Sequence, residues 1–173
     1  MIHAAVASAL LAITPPMLVD QAGTPFSFSS LRGAPAIVTF VSAHCQDACP
    51  LINAQFQQIQ RDLSRVGLRA ELITITLDPE RDTATDMKKL ARTFGASLPA
   101  WRFATGTIGN VHPVMKEFNV IASRGGDGYA EAHSTYVYVL DARGRIARTL
   151  FASSTLPQQI FSTLLHDWKE LNQ

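Results

Sequence analysis

Ile37-Val-Thr-Phe-Val41 is a run of strand length that is apolar except at Thr39, and after a polar stretch the apolar positions return at Leu51 or Ile52, Phe56, Ile59, Leu63 and Val66. The first pattern predicts a buried strand. The second, with its three- and four-residue spacing, predicts an amphipathic helix of about twenty residues that stops at Gly67. Ala70 to Leu77 alternates and is rich in β-branched residues, so it reads as a second strand, parallel to the first through a right-handed crossover. Asp82 or Thr83 then caps a helix with Ala84, Met87, Leu90, Ala91 and Phe94 on one face and Gly95 at its end. Trp101 to Gly106 predicts a short strand, and Thr107 caps a helix bearing Val111, Val114, Met115 and Phe118. Ser134 to Leu140 and Ile146 to Phe151, joined by Asp141-Ala-Arg-Gly144, read as a hairpin. Thr155 with Gln158 forms a capping box for a last helix whose apolar face is Leu156, Ile160, Leu164, Leu165, Trp168 and Leu171. Upstream, Leu18 to Phe28 predicts a short hairpin turned by Gln-Ala-Gly. The order of elements gives an α/β fold with a parallel start to the sheet, an antiparallel hairpin, and helices on its faces.

Composition narrows the class without naming a function. The chain has 173 residues, 47% hydrophobic and 17% charged, which suits one folded domain with a real core. A net charge of +1, with no basic stripe, zinc-finger spacing or aromatic platform, excludes nucleic acid as an expected partner. No phosphate-binding glycine loop, Ser-His-Asp order or H-E-x-x-H pattern is present. Residues 1–16 stand apart from the domain expected over 17–173. Their apolar run, Ala4 to Ile13, is about half of the roughly 20 residues that a membrane helix needs, and no Lys or Arg precedes Arg32. A signal or anchor remnant, a start further upstream and a small packed helix all fit this segment.

The chemistry concentrates after the first buried strand, in Ser42-Ala-His-Cys45-Gln-Asp-Ala-Cys49-Pro50, which holds the only two cysteines. With both placed in the first turns of the helix, the spacing lets their side chains meet across one helical turn. That arrangement serves a reversible disulfide or a shared metal ion. Unpaired helix N–H groups and the helix dipole are expected to lower the thiol pKa, while Asp47 between them opposes a second negative charge. The plainer alternative is a pair of buried cysteines packed as small hydrophobes.

Four segments together resemble the Sco (SenC) family of copper-binding, thioredoxin-like proteins: Cys45-x-x-x-Cys49-Pro50 after an apolar strand; Leu77-Asp-Pro-Glu-Arg-Asp-Thr83; Trp101-Arg-Phe-Ala-Thr-Gly106; and His133-Ser134 followed by Tyr136-Val-Tyr-Val-Leu-Asp-Ala-Arg-Gly144. The resemblance runs from about Leu18 to Leu165. It implies a thioredoxin-like fold, with a mixed central sheet and helices on both faces. It also implies a metallochaperone that delivers copper to the binuclear copper site of cytochrome c oxidase, or controls the redox state of that site's cysteines. The implied partners are the copper-site subunit of the oxidase and other copper chaperones or thiol–disulfide reductants. The implied location is the periplasm or the outward face of the inner membrane.

Copper(I) is soft and favours thiolate and imidazole donors, so Cys45, Cys49 and His133 make a ligand set, whereas a closed zinc site wants a fourth ligand. His133 follows the glycine-rich stretch Ser123 to Ala132, read as a mobile loop, and falls where related oxidoreductases carry a cis-proline. Asp78 and Glu80 are candidates for a docking or supporting carboxylate cluster beside it. The alternative for them is a solvated turn. His44 is expected to point away from its neighbour Cys45, and His3, His112 and His166 are read as surface residues. The competing function is a thiol–disulfide oxidoreductase using Cys45 and Cys49. A peroxiredoxin-like peroxidase would share the fold and a hydroxyl three residues before the cysteine, here Ser42, but lacks its usual Thr-Pro context.

Overall fold

The structure is a computed structural model that describes residues 15–31, 33–45, 48–124, 126, 128, 130–132 and 136–171. Its centre is a seven-stranded sheet built from β1 (Leu18–Asp20), β2 (Pro25–Phe26), β3 (Ala36–Val41), β4 (Glu71–Thr76), β5 (Trp101–Thr105), β8 (Tyr136–Leu140) and β9 (Ile146–Phe151), in the order β2-β1-β5-β4-β3-β8-β9. The strands β3, β4 and β5 are parallel, with Phe40 opposite Ile75 and Thr74 opposite Phe103. The flanking pairs, β1 on β5 and β8 on β3, are antiparallel. The loops that leave the carboxyl ends of β3, β4 and β5 therefore gather along one edge of the sheet, where open α/β sheets place their sites.

Alternation along the buried strands sorts their side chains onto two faces. Ile37, Val41, Leu72, Trp101, Phe103, Val137 and Val139 pack against helices α1 (Ala48–Val66), α2 (Ala84–Thr93) and α4 (Leu156–Leu171). Val38, Phe40, Ile73, Ile75, Tyr138 and Leu140 pack on the other face against Val111, Val114, Met115 and Phe118 of α3 (Ile108–Glu117) and its C-cap. Helices thus cover both faces, as the pattern predicts. In α1 the helical period selects Ile52, which is fully buried, over Leu51, which is 60% exposed. Val66 at the last turn is also exposed, and Gly67 ends the helix with φ at 70°.

Three expectations change. The helix does not carry both cysteines: α1 begins at Ala48, so Cys49 lies in its first turn and Cys45 before it. Ser42 causes this, since its carbonyl accepts the Cys45 N–H (3.2 Å) and its Oγ the His44 N–H (3.3 Å), closing a turn before the helix starts. The second helix is capped by Thr83 and not Asp82. Thr83 and Asp86 exchange side chain to backbone hydrogen bonds in a capping box, which leaves the Asp82 carboxylate for another use. The glycine-rich stretch is not irregular throughout, because β6 (Ala122–Arg124) and β7 (Ala130–Ala132) pair antiparallel in a small second sheet.

Candidate functional site

The turn after β3 carries Cys45 and presents it to Cys49 on α1. Both cysteines are free and half-buried, and their thiols are hydrogen-bonded to each other. Pro50 fits directly after Cys49 because the first backbone N–H groups of a helix have no intrahelical acceptor to lose. Cys49 faces inward against the cluster around Ile52 and Phe56, and its thiol is pushed up from the ordinary 9.0 to about 12, first by burial and then by its hydrogen bond with Cys45. A hydrogen bond from the Ser42 backbone pulls the other way, and the Asp82 charge adds to the rise. At Cys49 the outcome is thus a rise and not the lowering expected at a helix terminus, with burial as its largest cause.

A stability prediction follows from that shift. The unfolded thiol ionises near pH 9.0, while the folded one holds its proton to about 12, so between these values the native state binds more protons and stability falls as pH rises. Reduced protein is expected to lose up to about 1.4 kcal/mol of unfolding free energy per pH unit from this one group. Denaturant melts from pH 8 to 11 check it. The slope should flatten in Cys49→Ala, and a slope equal in both proteins would refute the assignment.

Around the thiols the edge is organised by carboxylates. Asp82 is fully buried, and its side chain accepts the Ala43 N–H (3.0 Å) and the Thr76 hydroxyl (2.6 Å), and meets His44 Nδ1 at 3.1 Å. The His44 ring is thereby held on Asp82, beside the end of β4. Asp78, 1% exposed, lies 3.7 Å from Arg81 and 3.6 Å from Arg124. Glu80, about half exposed, also pairs with Arg124, which donates in addition to the Gly128 carbonyl at 2.9 Å. Through Arg124, Asp78 and Glu80 clamp β6, and with it the small β6–β7 sheet, to the end of β4. An added Cβ at Gly128 would sit 3.2 Å from the Arg81 guanidinium, and its φ of 80° also favours glycine.

His133 lies outside the described residues, as does Asp47. Among the described residues no three His, Cys, Asp or Glu side chains are grouped to hold a metal ion. The described donor set is therefore the thiol pair, which suits a soft ion and leaves room for a ligand from elsewhere in the chain. His112 is exposed on α3. A cleft of about 860 Å³ lined by Arg61, Arg65, Arg69 and Pro99 opens at the amino ends of the parallel strands, at the opposite end of α1 from the cysteines.

Sequence reasoning missed Asp82 and His44. The contacts that tie Asp82 to Ala43 and His44 span 39 and 38 residues of the chain, and the only local signal was a second aspartate in Leu77-Asp-Pro-Glu-Arg-Asp, which had a ready explanation as a cap.

Comparison with known proteins gives the family. The family model described as SCO1/SenC matches residues 9–168. The chain belongs to the SCO1/SenC family. A SCO2-like protein of Rickettsia felis is 28% identical over 152 residues, covering 85% of this chain and 72% of that protein. The structure of Bradyrhizobium japonicum ScoI with copper bound is similar at a TM-score of 0.75 and 26% identity, over 88% of this chain and 97% of that one. BsSco, described as a member of the Sco family of cytochrome c oxidase assembly proteins and as containing a disulfide switch, aligns at a TM-score of 0.77 and 23% identity, over 90% of this chain and 92% of its own. The fold is the thioredoxin-like fold of these Sco proteins. Among the described residues no helix is long and apolar enough to cross a membrane.

Proposed function

We propose that this protein is a copper metallochaperone that holds copper(I) on Cys45, Cys49 and His133 and passes it to the copper-site subunit of cytochrome c oxidase, on the periplasmic or outward side of the membrane. The observation that carries this reading is the pair of free cysteines, Cys45 and Cys49, side by side at the carboxyl edge of the parallel strands. Copper is the cargo, and two sulfurs and an imidazole suit it. The family's link to oxidase assembly and the copper in the Bradyrhizobium protein support the same choice.

The chain's residues divide the work. Cys45 and Cys49 give up protons as the ion enters, which makes uptake more favourable as pH rises. The raised Cys49 pKa disfavours Cys49 as the attacking thiolate at neutral pH, so in the thiol–disulfide alternative the attack falls to Cys45 and Cys49 resolves the mixed disulfide. Asp78 and Glu80 act through Arg124, holding the small sheet from which the chain runs on to His133. In the redox role the reduced pair exchanges with a disulfide of the recipient: one thiolate forms a mixed disulfide, the other resolves it, and Cys45 and Cys49 end as a disulfide while the recipient's cysteines leave as thiols, with no ion held on the pair.

Reduced protein titrated anaerobically with copper(I) against a competing chelator tests the reading. One equivalent should bind, and His133→Ala should weaken it by at least the roughly 10- to 100-fold that loss of even an outer-shell partner costs. Binding indifferent to His133 would remove it from the ligand set, and failure to bind at all would leave the thiol–disulfide enzyme as the better account.

A further inference from the structure

Asp82 does more than close a turn. Its side chain is 0% exposed, and an ionised carboxylate withdrawn from water is tolerated only where its oxygens are met by donors. Oδ2 takes the Ala43 N–H at 3.0 Å and the Thr76 hydroxyl at 2.6 Å, and Oδ1 meets His44 Nδ1 at 3.1 Å. Its own carbonyl accepts the Thr105 hydroxyl at 2.8 Å, and its N–H donates to the Asp78 carbonyl at 2.8 Å. One residue therefore ties together the carboxyl ends of β3, β4 and β5. Helix capping does not account for it, since Thr83 and Asp86 already fill that role. Two of its three side-chain contacts fall on Ala43 and His44, the residues that lead directly into Cys45.

We propose that Asp82 is the positioning residue of the cysteine turn: by pinning Ala43 and His44 to the end of β4, it holds the Cys45 thiol in reach of Cys49 before any metal arrives. This rests on the copper reading of the thiol pair. A donor pair fixed in advance does not have to be ordered at the moment of binding, so the contribution appears as metal affinity. The conservative variant separates position from charge. In Asp82→Asn the amide oxygen takes the place of Oδ2 on Ala43 and Thr76, while the NH2 faces His44 Nδ1 in the tautomer that accepts.

Copper(I) affinities of reduced wild type, D82A, D82N and T76V, measured by chelator competition with denaturant melts alongside, test the proposal. D82A is expected to bind about 10- to 100-fold more weakly, the usual effect of losing an outer-shell partner, whereas D82N stays close to wild type. A folded D82A that binds as tightly as wild type overturns the proposal, as does a D82N that loses as much as D82A, which would assign the effect to charge. A role in stability alone would lower the melts and leave the affinity of folded protein unchanged, again overturning it. Should D82A not fold, T76V decides: it removes one anchor of Oδ2 at a β-branched position, and unchanged affinity refutes the pin. If wild type itself takes no copper(I), the copper reading fails separately. The pin is then read from the Cys45–Cys49 disulfide equilibrium with dithiothreitol, which D82A should shift several-fold toward the thiols; no shift refutes it.

Discussion

Cys49→Ser is expected to bring copper(I) binding below the reach of a chelator that the wild type outcompetes. A serine hydroxyl has nearly the shape of the thiol, so the turn, the Ser42 contacts and the packing against Ile52 and Phe56 survive. What is lost is the soft donor. Four-ligand zinc sites are worth about 10–16 kcal/mol, or roughly 3 kcal/mol per ligand, so losing one sulfur should cost more than a hundredfold in affinity. Cys45→Ser should behave alike for binding, since the site needs both sulfurs. The two variants should differ in alkaline stability, where only the Cys49 change removes the group held at about 12. The check is a competition titration with far-ultraviolet circular dichroism as a control for folding. A Cys49→Ser protein that still binds one equivalent at wild-type strength would show that the thiol pair is not the copper site.

Trp101→Ala is expected to destabilise the reduced protein by about 3–5 kcal/mol, a large part of the roughly 5–15 kcal/mol that holds a domain of this kind together. Trp101 is fully buried, with ring centroids 5.9 Å from Phe56 and 4.9 Å from Phe103. Its indole N–H donates to Thr74 Oγ1 at 3.0 Å, and Thr74 in turn lies 3.5 Å from Asn53 on α1. Truncation therefore opens a cavity between α1 and the sheet and strips a donor from a buried hydroxyl. Because Asn53 stands one helical turn beyond Cys49, the α1 register near the thiols should loosen as well. Urea unfolding monitored by circular dichroism measures the effect. A loss below about 1 kcal/mol would mean that the site collapses around the missing ring far better than core positions usually do.

The legibility of this protein divides along the range of its interactions. β3 and α1 were readable because burial imposes a period on the sequence, and that period survives in Ile37 to Val41 and in Ile52, Phe56, Ile59 and Leu63. Gly67 and Thr83 could be read as helix limits for the same local reason, since one backbone conformation or one side chain decides each. The β6–β7 pairing was harder to see. A glycine-rich stretch carries almost no period, and part of what holds β6 is Arg124 reaching Asp78 and Glu80 on a turn more than forty residues earlier.

By itself, then, the chain determined the order of the central strands and the helices, the faces of the helices, the adjacency of two cysteines after a buried strand and the family they resemble, all of which depend on neighbours within a few residues. Only the tertiary structure decided that Cys45 precedes the helix, that Cys49 keeps its proton to about 12, and that Asp82 belongs to the cysteine turn and not to a helix cap. Each of these depends on how much water is excluded at a point and on which charges face it there. Both are set by segments that are distant along the chain and meet only when the parallel strands bring their carboxyl ends together.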